Sequence, residues 1–337
     1  MDILGEKYTV REPFDRDMFV PDCWVKGKNK IGGGHGEGKL YIGSKDQMRG
    51  FYGKEGFVAP CFILKSDLVK YMQAIKPEYM TPTQEYIGKD SLKDLWDKRM
   101  EKIAQLDDFI PFEIYDQDQI AGPRGYVNSD DKAYNILREI SLPNVSYVRA
   151  LKVRAQGGKD LFYWKLFVDY EAIEDKSMAL VNTYGKKKES VLMDEHAITY
   201  GTKGALSSKS SKDVSNARNG QGKYRDDLLE ECPFCPITLI NDERLLIASH
   251  IKPWAVSTDE EKIDPKNGYM LSPLYDKLFD RGLITFGADR KLYISNWLSP
   301  KNQERIGLQE GKFYQFLPMD EKRQYYLEYH REFVFKG

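Results

Sequence analysis

The chain has 337 residues, 41% hydrophobic and 31% charged, with 51 Lys and Arg against 52 Asp and Glu. That length suits about two domains, each large enough to bury a core. A net charge of −1 excludes a globally basic nucleic-acid binder, so an anionic ligand has to be met by a local basic patch.

Cysteine is sparse. Cys23, Cys61, Cys232 and Cys235 are too few for a secreted disulfide scaffold. The opening MDILGEKYTVREPFDRD lacks the basic and apolar regions of a secretion signal, and no apolar run approaches the roughly 20 residues of a membrane span. A soluble cytoplasmic protein with no membrane partner is expected.

In chain order, IGGGHGEGKLYIG (31–43) places five glycines ahead of a short strand. The spacing fits neither a dinucleotide-binding nor a Walker A pattern, and reads as a surface loop with a solvated His35. SLKDLWDKRMEKIAQL (91–106) predicts an amphipathic helix. Ser91 is its N-cap, Leu92, Leu95, Trp96, Met100, Ile103 and Leu106 form its buried stripe, and its polar face is solvated. A second helix is expected over 131–140.

VSYVRALKVR (145–154) and LFYWKLFVDY (161–170) are rich in β-branched and aromatic residues, and the turn chemistry between them predicts a hairpin. Alternation puts Phe162, Trp164, Leu166 and Val168 in a core and Tyr163, Lys165 and Phe167 on the opposite face. Tyr163 and Lys165 are candidate DNA contacts there; an ordinary exposed sheet face is the competing reading.

From about Gly185 the composition changes. Residues 185–225 hold nine Lys or Arg against four acids, and GALSSKSSKDVSNARNGQGK has almost no large apolar side chain. Such a segment cannot offset the entropy of ordering and reads as a basic linker. The expected organisation is an N-terminal recognition or sensing domain (1–184), the linker (185–220) and a C-terminal domain (221–337).

In that last region, Cys232-Pro-Phe-Cys235 has no second CxxC partner, so a buried thiol pair is favoured over a structural zinc. RLLIASHI (244–251) predicts a strand ending at His250 beside a loop, because Pro253 stops ladder pairing. Asn267-Gly268 marks a turn and YMLS a second strand. Ser272, Pro273 and Gly282 then bracket a helix over 273–281 as N-cap, first residue and stop. At about 100° per residue, Leu274, Leu278, Tyr275 and Phe279 form its buried stripe, with Asp276 and Asp280 together at the aromatic edge. Two acids four apart repel by a few tenths of a kcal/mol. A divalent cation would turn that repulsion into a ligand pair suited to Mg²⁺ or Mn²⁺. LITFGADRKLYISN and EKRQYYLEYHREF read as a structural hairpin and helix.

The stretch GQGKYRDDLLEECPFCPIT…RLLIASHIKPW…DPKNGYMLSPLYDKLFDRGLITF, with His250, Asn267 and Asp276 in order, resembles the HNH endonucleases. It is similar to the branch whose helix carries aspartate where other members carry histidine or asparagine. The resemblance spans roughly residues 219–300, about a quarter of the chain. It implies an α+β protein: a mixed N-terminal domain followed by a C-terminal ββα-metal nuclease domain.

By the same resemblance His250 is the general base, and Asn267 orients the loop and the base. Asp276 and Asp280 hold one Mg²⁺ or Mn²⁺ ion per site, and Lys252 and Arg281, from their positions next to the base and the acids, are expected to meet DNA phosphate. Ser249 stands where many members have a metal-ligating Asp or His. The implied reaction is hydrolysis of double-stranded DNA leaving a 5′ phosphate, with a homodimer for double-strand cleavage. The implied setting is a restriction-type or anti-phage enzyme whose N-terminal domain recognises a sequence or a modified base. The alternative is a sequence-indifferent effector nuclease switched on through a sensing domain.

Overall fold

The structure, a computed structural model, describes residues 1–32, 38–117, 122–155, 158–174 and 222–337. It divides into two compact units, Met1–Lys186 and Lys187–Gly337. His35 and the basic stretch 185–220 lie outside the described residues.

The first unit is built on a mixed sheet. Its strands are β1 (Asp2–Ile3), β2 (Glu6–Pro13), β3 (Met18–Phe19), β4 (Leu40–Ser44), β5 (Val58–Leu64), β6 (Phe109–Asp116), β7 (Arg124–Asn128), β8 (Ser146–Ala155) and β9 (Asp160–Val168). They run in the order β1-β2-β8-β9-β5-β6-β7-β4, with β3 also paired to β8. The expected hairpin is the long antiparallel pair β8–β9, in register from Ser146↔Val168 to Arg154↔Asp160. The pairing of β5 with β9 is parallel. Helices α1 (Lys45–Tyr52), α2 (Lys65–Met80), α3 (Leu92–Ala104), α4 (Lys132–Ile140) and α5 (Tyr170–Glu174) complete the unit.

Helix α3 forms where its periodicity predicts, but two details differ. Ser91 makes no side-chain cap; its hydroxyl donates to the Gly88 carbonyl, because a short 3₁₀ turn precedes the helix. The polar face is not wholly solvated either. Arg99 is buried and donates to the Tyr79 hydroxyl and the Asn29 side-chain carbonyl.

The candidate DNA contacts on β9 are corrected by the fold. Tyr163 is buried, its ring lying 5.0 Å from that of Phe62 in a parallel stack. Its hydroxyl donates to Asp67 at the start of α2, and Lys165 Nζ lies 3.2 Å from the other oxygen of the same carboxylate. On the opposite face Trp164 packs edge-on against Phe112 and near Tyr134. Both faces of β9 are therefore covered, and alternation alone cannot tell a half-exposed strand from one covered on both sides. The lysine and tyrosine serve a buried polar cluster centred on Asp67. Removing one partner from such a cluster strands the other charge. Asp67→Ala should cost about 3 kcal/mol of stability; urea denaturation of the full chain checks this, and a wild-type midpoint would contradict it.

The second unit contains a helical segment over residues 222–231, then β10 (Ile247–His250), α6 (Asp259–Lys262), β11 (Gly268–Leu271), α7 (Pro273–Asp280), β12 (Ile284–Phe286), β13 (Leu292–Ile294), α8 (Pro300–Ile306) and α9 (Glu321–Tyr329). Strands β10 and β11 pair antiparallel from Ile247↔Leu271 to His250↔Gly268, and α7 follows directly. Leu228, Met270, Leu271, Phe279, Phe286 and Leu327 belong to one core. Helix α7 stops as expected: Gly282 has φ 63°, and Leu283 N–H donates back to the Leu278 carbonyl. A Cβ at Gly282 would also lie 2.0 Å from the Val334 carbonyl oxygen, so glycine is required there twice over.

One expected core residue is not buried. Leu274 is 50% exposed, and the helix packs instead through Leu278 and Phe279 with Tyr275 half-buried. The contact stripe therefore runs 275, 278, 279 and leaves the first turn at the surface.

Behind α7, the chain continues from α9 into a π-helical turn at His330–Val334. His330 is 1% exposed, its ring stacked on Phe279 at 3.9 Å. Its Nε2–H donates to the Phe279 carbonyl at 3.0 Å and its Nδ1 accepts from the Thr285 hydroxyl at 2.9 Å. Burial pushes this imidazole down to about 3, against the opposing effect of the Phe279 bond. The unfolded ring takes up a proton below about 6.5 while the folded ring stays neutral. This contribution to stability is thus fully present above that pH and is lost as pH falls towards 3. The loss approaches about 1.4 kcal/mol per pH unit. Calorimetry between pH 6.5 and 4 should show a shallower fall in Tm for His330→Gln than for wild type; equal slopes would contradict this role.

Candidate active site

Strand β10 ends at His250 because Pro253 follows within three residues, and the chain leaves the ladder there. The half-buried imidazole is held on three sides. Its Nε2 is 3.0 Å from the Lys262 carbonyl, Tyr224 stacks on its face at 4.2 Å, and Trp254 meets it edge-on at 5.4 Å. A carbonyl only accepts, so Nε2 carries the proton and Nδ1 carries the lone pair. Burial lowers the His250 pKa below its usual value, although the Lys262 bond works the other way. The ring is thus neutral, with its lone pair available at neutral pH.

The loop that supplies Lys262 is fastened by Asn267, which is fully buried. The Asn267 side-chain oxygen accepts from Lys252 N–H at 2.8 Å, and its amide donates to the Glu261 carbonyl at 3.0 Å and the Lys252 carbonyl at 3.3 Å. Its own carbonyl accepts from Ile251 N–H at 3.0 Å. Both polar atoms of this amide are engaged with the backbone of the loop, so Asn267 fastens it. Helix α6, closed by a reciprocal Thr258–Glu261 capping box, stiffens the same loop.

Lys252 occupies a different place from the one expected. Its ammonium pairs with Glu261 at 2.6 Å, both side chains being largely buried, and lies 5.4 Å from the Tyr329 ring centroid. A cation already neutralised by a buried carboxylate is a fastener for the loop and not a phosphate contact. Arg281 sits at the C-terminal end of α7, half-buried.

The two aspartates of α7 lie on one side of the helix, Asp276 half-buried and Asp280 exposed. Asp280 reaches the strand bearing the base: its Oδ1 is 3.4 Å from the Ser249 hydroxyl. Among the described residues, no group of three or more His, Cys, Asp or Glu has the geometry of a metal site. Two hard carboxylates without a closed cage fit Mg²⁺ or Mn²⁺, which keep several waters and take further oxygens from substrate phosphate. They do not fit a closed zinc site.

Cys232 and Cys235 are both buried; their thiols contact the Phe234 carbonyl at 3.2 Å and the Ser272 hydroxyl at 3.9 Å. Ser272 does not cap α7 through its side chain, since its hydroxyl faces Cys235.

A strand bearing a carbonyl-held histidine, a fastening asparagine and a following helix with acids defines a ββα nuclease finger. Residues 235–287 match the HNH endonuclease family model, so the C-terminal region carries an HNH endonuclease domain. Comparison with curated proteins gives no match. Among the described residues, no helix is long and apolar enough to cross a membrane.

Several supporting residues lie outside the matched segment and were missed by motif reading. Tyr224 precedes it, with Leu228 and Cys232 at helical spacing as the available signal. Arg323 follows it in α9, 2% exposed, and donates to the Gly268 and Pro265 carbonyls at 3.3 Å each as well as to Glu231 and Asp320. Nothing in a charged helical run distinguishes such an arginine from a solvated one.

Asn267→Ala would leave the Lys252 N–H and Glu261 carbonyl without partners. Unsatisfied buried groups cost about 1–3 kcal/mol each. A loss of about 3 kcal/mol is expected, measurable by urea denaturation; a change below about 1 kcal/mol would show that the loop does not depend on this amide.

Proposed function

We propose that the protein is a metal-dependent endonuclease that hydrolyses phosphodiester bonds of double-stranded DNA, of restriction or anti-phage type. The observation that carries this reading is the His250 imidazole, fixed by a backbone carbonyl in the tautomer that leaves Nδ1 basic, one residue from a serine that touches Asp280.

In this mechanism His250 Nδ1 takes the proton of a water molecule as its oxygen attacks phosphorus. The phosphorus–3′-oxygen bond breaks, leaving a 5′ phosphate and a 3′ hydroxyl once the leaving oxygen gains a proton from solvent. A single Mg²⁺ or Mn²⁺ ion, held by Asp276 and Asp280, would supply Lewis-acid stabilisation of the charge on the phosphate and leaving oxygen. Arg281 meets a flanking phosphate. Asn267 and the Lys252–Glu261 pair hold the loop that orients the base. One such site cuts one strand, so double-strand cleavage calls for a homodimer or successive nicks. The protein works in the cytoplasm, where invading DNA arrives.

The first unit is the recognition domain for a DNA sequence or a modified base. A second reading, a sensing domain that switches on a sequence-indifferent nuclease, is favoured by one observation. An open cavity of about 360 Å³ is lined by Pro60, Phe62, Phe109, Pro111, Glu113 and Asp131, among others.

Purified protein with Mg²⁺ or Mn²⁺ on unmodified and modified phage DNA tests both readings. Discrete fragments support recognition, and cutting only with an added activator supports sensing. His250→Ala should lower the cleavage rate about 10²–10⁴-fold, the range for loss of a general base. Because the His250 pKa is lowered, the acid limb of the rate profile should have its midpoint below about 6.5. Wild-type cleavage by His250→Ala would overturn the mechanism.

A further inference from the structure

We propose that Tyr224 is a positioning residue for the His250 base: its ring fixes the plane of the imidazole while the Lys262 carbonyl fixes its rotation. The inference rests on the reading of His250 as the base. It adds a residue that lies eleven positions before the matched segment begins at residue 235.

Three observations carry it. The two rings lie 4.2 Å apart and 16° from parallel, so the tyrosine covers one face of the imidazole. The Tyr224 hydroxyl donates to the Asn267 carbonyl at 3.1 Å, which ties the ring to the residue that fastens the loop. Tyr224 is itself 2% exposed and packs with Leu228 in the core, so it cannot swing away.

A further observation, beyond these three, comes from the neighbouring glycine. Gly268 pairs with His250 across the ladder, and its backbone is extended at φ −164°, a conformation any residue adopts. Yet a Cβ there would lie 1.9 Å from the Tyr224 hydroxyl oxygen. A side chain at 268 would meet the Tyr224 hydroxyl first, with Leu228 Cδ2 and the Ser249 carbonyl oxygen each at 3.0 Å, so the glycine makes room here and is not needed for the turn. The strand pair, the fastening asparagine and the tyrosine thus fit together only in this arrangement. A tyrosine that merely filled the core would not need a glycine beneath its hydroxyl.

The test compares single-turnover cleavage rates and KM in the full-length protein. Tyr224→Leu should lower the rate about tenfold or more with KM unchanged, since a displacement near 1 Å at a reacting group can cost about 10²-fold. Tyr224→Phe keeps the ring and should stay within about threefold of wild type. Gly268→Ala should slow cleavage as Tyr224→Leu does, and adding Tyr224→Phe, which removes the clashing hydroxyl, should restore much of the rate. In a His250→Ala background, Tyr224→Leu should add no further loss, because it acts through the imidazole. The His250 ring-proton NMR signals should show an upfield ring-current shift in wild type and Tyr224→Phe that is absent in Tyr224→Leu.

If His250→Ala cleaves normally, the reading of the base fails. If His250→Ala is inactive or slow while Tyr224→Leu matches wild type, or costs the same in both backgrounds, only the role of Tyr224 fails. The NMR shift decides the geometry should Tyr224→Leu fold poorly: Gly268→Ala with an unshifted imidazole supports the proposal, and Gly268→Ala with wild-type signals and rate overturns it.

Discussion

The nuclease finger hangs on one buried amide. Asn267 joins both ends of the loop between β10 and β11: it binds the backbone of Lys252 on one side and of Glu261 on the other. That closure delivers the Lys262 carbonyl to His250. Buried polar groups of this kind are high-stakes, since each satisfied bond adds little while each broken one costs a full desolvation penalty. The same residue also accepts from Ile251 and Tyr224 through its carbonyl, so the strand, the loop and the 222–231 helix meet at a single position.

A second support stands behind it. Arg323 brings a buried guanidinium to the turn that carries Asn267, and its charge is met by Glu231 and Asp320. Its remaining donors go to the carbonyls of Pro265 and Gly268. Tyr326 and Lys322 from the same helix hold Asp264 at 2.7 Å each. Three residues of α9 therefore grip the 264–268 turn, and His330 just beyond grips the end of α7. A ββα finger of fewer than 60 residues has little core of its own, and here the helix after it supplies the missing wall.

Which parts were legible in the sequence follows from how local their causes are. The strand ending at His250, Pro273 at the start of α7 and Gly282 at its end are each set by residues within a few positions. All appear where expected. The errors share the opposite property. Tyr163 and Lys165 find Asp67 nearly a hundred residues away, and Arg99 finds Asn29 at a separation of 70. Lys252 finds Glu261 only nine residues on, but through a loop whose closure depends on Asn267. Polar side chains read as exposed by alternation or periodicity become internal when a distant partner makes burial affordable. Leu274 shows the reverse, an apolar residue left out because α7 begins before its covering partners do.

This commitment of charge inside the fold bears on how the chain would hold DNA. Lys252 and Arg323 are engaged internally, and Arg225 donates to the Leu246 and Glu243 carbonyls, so these cations are committed to packing around the finger. Affinity from phosphate contacts scales with the number of cations that release counterions. A protein with a net charge of −1 therefore has to draw that term from cations outside these internal pairs. Charge spent on packing thus shapes the site, and under the proposed function the hold on phosphate would depend on salt only through the cations left outside that packing.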